Sequence, residues 1–197
     1  FLLPGKKKLT IAGHCTDVTT DLGIEWLKTR PQDKPFFLML HQKAPHRAWE
    51  PAKRHIEMFK DKSIPEPETL VDDYATRPTA LPKNQQTVAR ELTRRQLKLT
   101  PPADVKGPEL QKWLNQSPKE LEVDGKVLTG KELVQWKYQK YMRDYLAALL
   151  DFVQAEMKRG QPREAIVRIT DPLKGFADHG PLVERTLGPA YDELAGS

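Results

Sequence analysis

Cysteine is almost absent from this sequence, with Cys15 alone among 197 residues. A single thiol excludes an internal disulfide framework and a cysteine-rich zinc site. Long apolar runs are missing too, and none approaches the roughly 20 residues needed to cross a bilayer. The chain starts at Phe1, and Lys6–Lys8 follow the first apolar residues instead of preceding them. A secretory signal has the reverse order, so we expect no signal peptide, no membrane partner and a chain that is a fragment.

A strong excess of one charge sign is also missing. The 32 Lys+Arg and 27 Asp+Glu leave a net charge of +5, and the charges are interspersed. Nucleic-acid-binding modules carry a basic stripe with interleaved aromatic residues or a recognisable motif, and neither is present. A solvated basic face explains the charge, so we expect no nucleic-acid partner.

The first part of the chain predicts a helix followed by a buried strand. The helix begins with Thr16 or Asp17 as its N-cap and runs to about residue 28. Its predicted apolar face consists of Val18, Leu22 and Trp26. The uninterrupted apolar run Phe36–Leu40 is typical of a strand buried on both faces of a parallel sheet. A helix followed by such a strand is half of a βαβ unit, so the predicted fold class is α/β.

A proline-rich segment follows, which is either a functional insertion or poorly ordered. It leaves room for short helices at Ala52–Phe59, Gln85–Leu92 and Pro108–Asn115, and for a hairpin at Leu121–Leu128 around Asp124-Gly125. Apolar residues three and four apart then predict a long amphipathic helix over Gly130–Lys158. The segment Ile166–Thr170 indicates a second core strand.

Two segments follow the predicted strands, where α/β sheets bind ligands. The loop 41–49 concentrates Lys43, His46 and Arg47, and such cations suit an anionic substrate while an imidazole can protonate a leaving oxygen. An ordinary basic surface loop is the alternative, and spacing does not decide between them. Asp171 follows the second strand and could bind Ca²⁺, but that ion needs about six to eight oxygen ligands, so a turn or cap role is the alternative.

Several stretches together resemble the sulfatase family, of the bacterial type that acts on sulfated polysaccharides. They are GHCTDV at 13–18, KPFFL at 34–38, HQKAPHRAWEP at 41–51, IPEPETL at 64–70, DDY at 72–74 and WKYQKY with DY at 136–145. The most specific is the H-x-K-A-P-H-R-x-W segment, and the resemblance covers roughly residues 1–146. It implies part of an alkaline-phosphatase-like fold, a sheet flanked by helices. The expected division is one partial domain, with the helix and core strand at 1–42, the proline-rich active-site loop and insertion at 43–129, the long helix at 130–160, and the second strand with a degenerate metal-site segment at 161–197.

The resemblance also implies a function and its residues. The family hydrolyses sulfate esters, here of a sulfated carbohydrate, using Ca²⁺ and a formylglycine nucleophile. His46 matches the histidine that contacts the sulfate and assists the leaving group, and Lys43 lies in the same basic loop as a substrate contact. Asp171 matches a calcium-ligating aspartate. A periplasmic, secreted or lysosomal location is expected if the chain is like the family.

Departures from the family pattern leave the enzyme assignment open. Formylglycine is made within C/S-x-P-x-R, and Cys15 has neither the proline nor the arginine. Pro172 stands where a second metal ligand is expected, and Glu184 stands where a sulfate-binding lysine is usual. We therefore expect an incomplete calcium site and an inactive isolated chain, with self-association through strands that lack neighbours. The alternative is a non-catalytic sulfatase-like module that binds an anionic glycan or a protein partner.

Overall fold

The computed structural model describes residues 10–168, 192 and 194–196. Its helices are Cys15–Thr29 (α1), Val88–Glu91 (α2), Gly107–Leu114 (α3), Gly130–Lys158 (α4) and Arg163–Arg168 (α5), with a single 3-10 turn at Glu68–Val71. Two strands, Glu120–Val123 (β1) and Lys126–Thr129 (β2), pair antiparallel with Glu120 opposite Thr129. Within the described residues, no helix is both long enough and apolar enough to span a membrane.

The chain divides into two compact units. The first is drawn from the described parts of Phe1–His46, Glu50–Met58 and Leu146–Ser197. The second consists of Arg47–Trp49 and Phe59–Tyr145. Helix α4 contributes its first part to the second unit and its last part to the first.

Helix α1 confirms the first predicted helix but buries a different face. Its N-cap is His14 rather than Thr16 or Asp17, although Asp17 does lie in the first turn, where the helix dipole favours an anion. The buried residues are Thr16, Val18, Thr20 and Gly23. A Cβ at Gly23 would lie 2.7 Å from a methyl carbon of Leu40, so a larger residue at this position requires the Leu40 side chain to move.

The two predicted core strands are wrong where the structure describes them. The run Phe36–Leu40 has no regular secondary structure, and Phe37 is 85% exposed. A strand requires a partner ladder, and no described segment pairs with this run. The second predicted strand, Ile166–Thr170, begins inside helix α5. The carbonyl oxygen of Pro162 accepts hydrogen bonds from the amides of Ala165 and Ile166, and this starts a helical turn. Residues 169 and 170 lie outside the described part of the chain.

The proline-rich segment contains most of the short elements that the sequence predicts. Helix α2 lies within the predicted range Gln85–Leu92. Helix α3 begins one residue before the predicted range Pro108–Asn115 and ends one residue before its end. Residues 52–59 instead form successive turns, in which His55 donates to the carbonyl of Ala52 and Met58 to that of His55. The predicted hairpin is confirmed, and both turn residues, Asp124 and Gly125, have the positive φ that a tight two-residue turn requires.

Helix α4 has the predicted bounds and organises the core of the first unit. Leu149 and Val153 pack there with Ile166 of α5. The partly buried residues against this cluster are Phe152, Met157 and Leu194. The same helix also buries charged side chains, namely Lys137, Asp144, Asp151 and Glu156. Because buried charges require partners, these side chains indicate where α4 fixes neighbouring segments.

Candidate functional site

The structure brings the two predicted loop residues of the site together. The Nζ of Lys43 lies 2.8 Å from Nδ1 of His46 in the first unit. An ammonium group has donors only, so Nδ1 is the acceptor and the neutral imidazole carries its proton on Nε2. Both residues are exposed, which suits recognition of a ligand from solvent.

Polar contacts hold both ends of this loop in the first unit. On one side, Gln42 donates its amide to Oγ1 of Thr20 at 2.7 Å. On the other, Nε2 of His14 lies 2.9 Å from the carbonyl oxygen of Glu50. Helix α1 and the residue that precedes it therefore fix the segments that flank Lys43 and His46. A loop fixed in this way places its charges without paying ordering entropy on binding.

Asp151 of α4 is the second anchor, and its side chain is fully buried. Its Oδ2 accepts the backbone N–H of Ala52 at 2.7 Å, and its Oδ1 accepts from Nδ1 of His55 at 2.8 Å. Arg54 donates to Oδ1 at 3.2 Å, and Nε2 of His14 lies 3.9 Å from Oδ2. One carboxylate thus ties the chain just after the basic loop to the long helix.

Arg54 also forms a bidentate ion pair with Asp17 of α1. The two N···O distances are 2.7 and 2.8 Å. This hydrogen bonding lowers the pKa of Asp17 and raises that of Arg54. Planar fork-to-fork pairing fixes orientation as well as charge, so it adds a further constraint between α1 and the turns at 52–59.

The remaining part of the basic loop belongs to the second unit. Arg47 donates to Glu91 at 2.7 Å, and Lys98 lies 3.4 Å from the carbonyl oxygen of Ala48. Lys98 also pairs with Asp144 of α4 at 2.7 Å. Trp49 contacts Tyr141, with ring centroids 4.5 Å apart. These contacts make Arg47 a structural cation, not part of the Lys43–His46 pair.

The described residues do not fit a calcium ion. Within residues 10–168 and the described C-terminal positions, no three His, Cys, Asp or Glu side chains come together as metal ligands. Asp171, Pro172 and Glu184 lie outside the described residues. Asp72 and Asp73 form local turns, because each carboxylate accepts the backbone N–H two residues ahead. The Tyr74 N–H, followed by Arg77, lowers the pKa of Asp72.

From the sequence, no role was assigned to Asp151, His14 or His55. His55 is 3% exposed and its ring contacts Asp151, so its role is structural. A signal was present, because Asp151 lies three or four residues from Ala147, Ala148 and Ala155 and therefore interrupts an apolar face of α4. A carboxylate on an apolar helix face predicts a buried partner, but it does not say which segment supplies that partner.

Comparison with known proteins defines the class to which this fold and loop belong. A sequence model described as Sulfatase matches residues 4–159. The chain belongs to the sulfatase family. It is 38% identical over 165 residues to an N-acetylglucosamine-6-O-sulfatase of Bacteroides thetaiotaomicron, covering 73% of this chain and 29% of that protein. It is 36% identical over 64 residues to an arylsulfatase of Clostridium perfringens, covering 32% of this chain and 13% of that protein.

A solved structure shows the fold. That structure contains a protein in complex with its substrate, D-glucosamine-2-N,6-O-disulfate. It superimposes with a TM-score of 0.61 at 32% identity, over 79% of this chain and 36% of that one. The predicted α/β class is confirmed at this level, since the chain has part of an alkaline-phosphatase-like sulfatase fold. The chain spans about a third of the length of these two longer relatives.

Proposed function

We propose that this chain carries the sulfate-recognition loop of a sulfatase that acts on a sulfated carbohydrate. The observation that carries the proposal is the Lys43–His46 contact of 2.8 Å, in a loop anchored through Gln42 and Glu50. Family membership supports the reaction class, and the names of the relatives support a sulfated amino sugar as the ligand.

The contact suggests how a proton reaches the leaving oxygen. As an attacking oxygen bonds to sulfur and the S–O ester bond breaks, Nε2 of His46 gives its proton to the bridging oxygen, which leaves as an alcohol. In the same step Nδ1 takes a proton from the Lys43 ammonium, so His46 stays neutral and Lys43 becomes an amine. Before this step, the ammonium offsets the negative charge of the sulfate. Both residues are therefore assigned as substrate-binding residues, and His46 also as the proton donor.

We infer that this chain does not itself supply the nucleophile of such a reaction. No C/S-x-P-x-R motif is present, and the described residues form no calcium site. In the family, formylglycine supplies the attacking oxygen and Ca²⁺ supplies positive charge. Asp171 stays a proposed calcium ligand by its match to the family.

Binding to a sulfated sugar tests the loop directly. The chain is titrated with N-acetylglucosamine-6-sulfate and with unsulfated N-acetylglucosamine, while the ring signals of His46 are followed by NMR. We expect a saturable shift with the sulfated sugar alone. Removing one charge-assisted contact in His46→Ala or Lys43→Gln should weaken binding about tenfold or more. Calorimetry supplies the affinity where the His46 signal is lost.

Matched controls come from the same part of the chain. His41 is an exposed histidine of the same loop, and Lys53 is an exposed lysine of the same unit. His41→Ala and Lys53→Gln should bind as the unaltered chain does. Equal binding of both sugars, or unchanged affinity in both test variants, would refute the proposed site.

The second candidate is a non-catalytic module that binds an anionic glycan. The missing nucleophile motif favours this candidate for the isolated chain. We expect no turnover of an aryl sulfate above background, even with Ca²⁺ added. Turnover that His46→Ala abolishes would show that this chain does supply a nucleophile, whereas turnover that persists in that variant would come from a contaminant.

A further inference from the structure

The second unit contains a cavity of about 430 Å³ whose charged lining residues are all basic. Three of its lining residues are basic, namely Arg90, Lys119 and Lys137, and none is acidic. Arg90 and Lys119 are exposed, so the cavity is open to ligands from solvent. Two carbonyl oxygens, of Pro82 and Asn84, hold Nη1 of Arg90 and fix the position of its guanidinium.

Lys137 gives this cavity a buried charge that has no counter-ion among the residues that the structure describes. The residue is 1% exposed, and its ammonium donates to the carbonyl oxygens of Ala89 and Pro118 and to Oγ of Ser117, at 2.8–3.0 Å. All three acceptors are neutral. Burial, and then the nearby positive charge of Arg94, lower the pKa of Lys137 to about 8. A buried charge that lacks an opposite charge is costly, and a bound anion would offset that cost.

The first turn of α4 adds to the positive electrostatic potential of this cavity. Gly130 and Leu133 also line the cavity, and the N-terminus of a long helix carries partial positive charge. Glu132 lies in this turn, but it pairs with Lys126 at 2.8 Å. Carboxylates do line an adjoining cavity of about 360 Å³, where Asp72 is paired with Arg77.

We propose that the cavity lined by Lys119 and Lys137 binds a sulfate-type oxyanion. Two sources share this chemistry, free sulfate and the sulfate group of a sugar. Lys119 donates directly to the anion, while Lys137 acts through its charge because its three hydrogens already have acceptors. This site uses none of the residues of the Lys43–His46 loop, and it does not depend on the chain being an enzyme.

NMR of the lysine side chains tests the site in the full 197-residue chain. Sulfate is added at constant ionic strength against chloride, and the pH titration of the Lys137 Cε signal is followed. We expect a saturable shift and a rise in the pKa of Lys137 as the anion binds. A parallel titration with N-acetylglucosamine-6-sulfate, and with the unsulfated sugar, identifies the source of the anion.

Two variants separate binding from folding. Lys119→Gln removes an exposed cation that has no ion pair among the described residues, and it should weaken sulfate binding about tenfold. Lys137→Met should abolish binding, as judged by calorimetry. The matched control Lys112→Gln removes an exposed lysine of α3 that does not line this cavity, and it should bind normally.

Each outcome decides the proposal. Binding of free sulfate, of the sulfated sugar or of both would support it and would identify the source. A response to sulfate no larger than the response to chloride would overturn it, and so would equal binding in Lys119→Gln and Lys112→Gln. Because the Lys43 and His46 variants leave this cavity intact, failure here is distinguishable from failure of the proposed function.

Discussion

Removal of the Asp151 carboxylate is the sharpest test of how the site is held. In Asp151→Ala, the buried N–H of Ala52 and the ring nitrogen of His55 lose their acceptor. An orphaned buried donor costs about 1–3 kcal/mol, so two of them predict a loss of about 2–6 kcal/mol in the free energy of unfolding. Arg54 adds little to this loss, because its side chain is 39% exposed and keeps its pair with Asp17.

Urea denaturation measures the loss, and hydrogen exchange at the Ala52 amide shows where it arises. The control is Asp21→Ala, because the pair of Asp21 with Lys158 is more than half exposed and should contribute less than about 1 kcal/mol. A change below about 1 kcal/mol in Asp151→Ala, with slow exchange preserved at Ala52, would refute the assigned role.

Two further predictions concern pH and association. Because the pKa of Lys137 falls to about 8, the unfolded chain binds more protons between about pH 8 and 10.5, so the free energy of unfolding should rise by about 1–3 kcal/mol over that range. Lys137→Met should flatten this rise in urea titrations at several pH values, and an unchanged slope would contradict the assignment. The exposed run with Phe37 at 85% and Met39 at 63% should favour self-association. Light scattering should show this with rising concentration and should show less in Phe37→Glu, whereas equal scattering from both proteins would contradict it.

The sequence predicted correctly those elements whose structure depends on residues close together in the chain. The amphipathic repeat defines Gly130–Lys158, since its period alone identifies a helix and Gly160 and Pro162 limit its extension. The Asp124-Gly125 pair likewise defined the hairpin, because few other residues adopt positive φ at both turn positions.

Elements that depend on a partner could not be predicted in the same way. Phe36–Leu40 has the composition of a buried strand, but a strand forms only beside another strand, and none of the described segments supplies one. The segment that begins at Ile166 contains β-branched residues, which favour a strand. However, Pro162 and Glu164 favour the start of a helix, and Ile166 enters the core as a residue of helix α5. In both cases composition indicated an apolar environment, and only tertiary context could specify the backbone.

The same distinction applies to the candidate site. The H-x-K-A-P-H-R-x-W segment is the basis for predicting Lys43 and His46 as site residues, and its expected support was the end of a buried strand. The structure supports the loop through side chains instead, from Thr20 on one side and from Asp151 beyond Ala52 on the other. If this polar support orients the pair, Asp151→Asn should weaken binding of the sulfated sugar although it touches no ligand. Thermal unfolding of that variant, measured beside its affinity, would show whether orientation is lost while the chain is still folded. Normal affinity in a folded Asp151→Asn protein would mean that the loop keeps its own geometry.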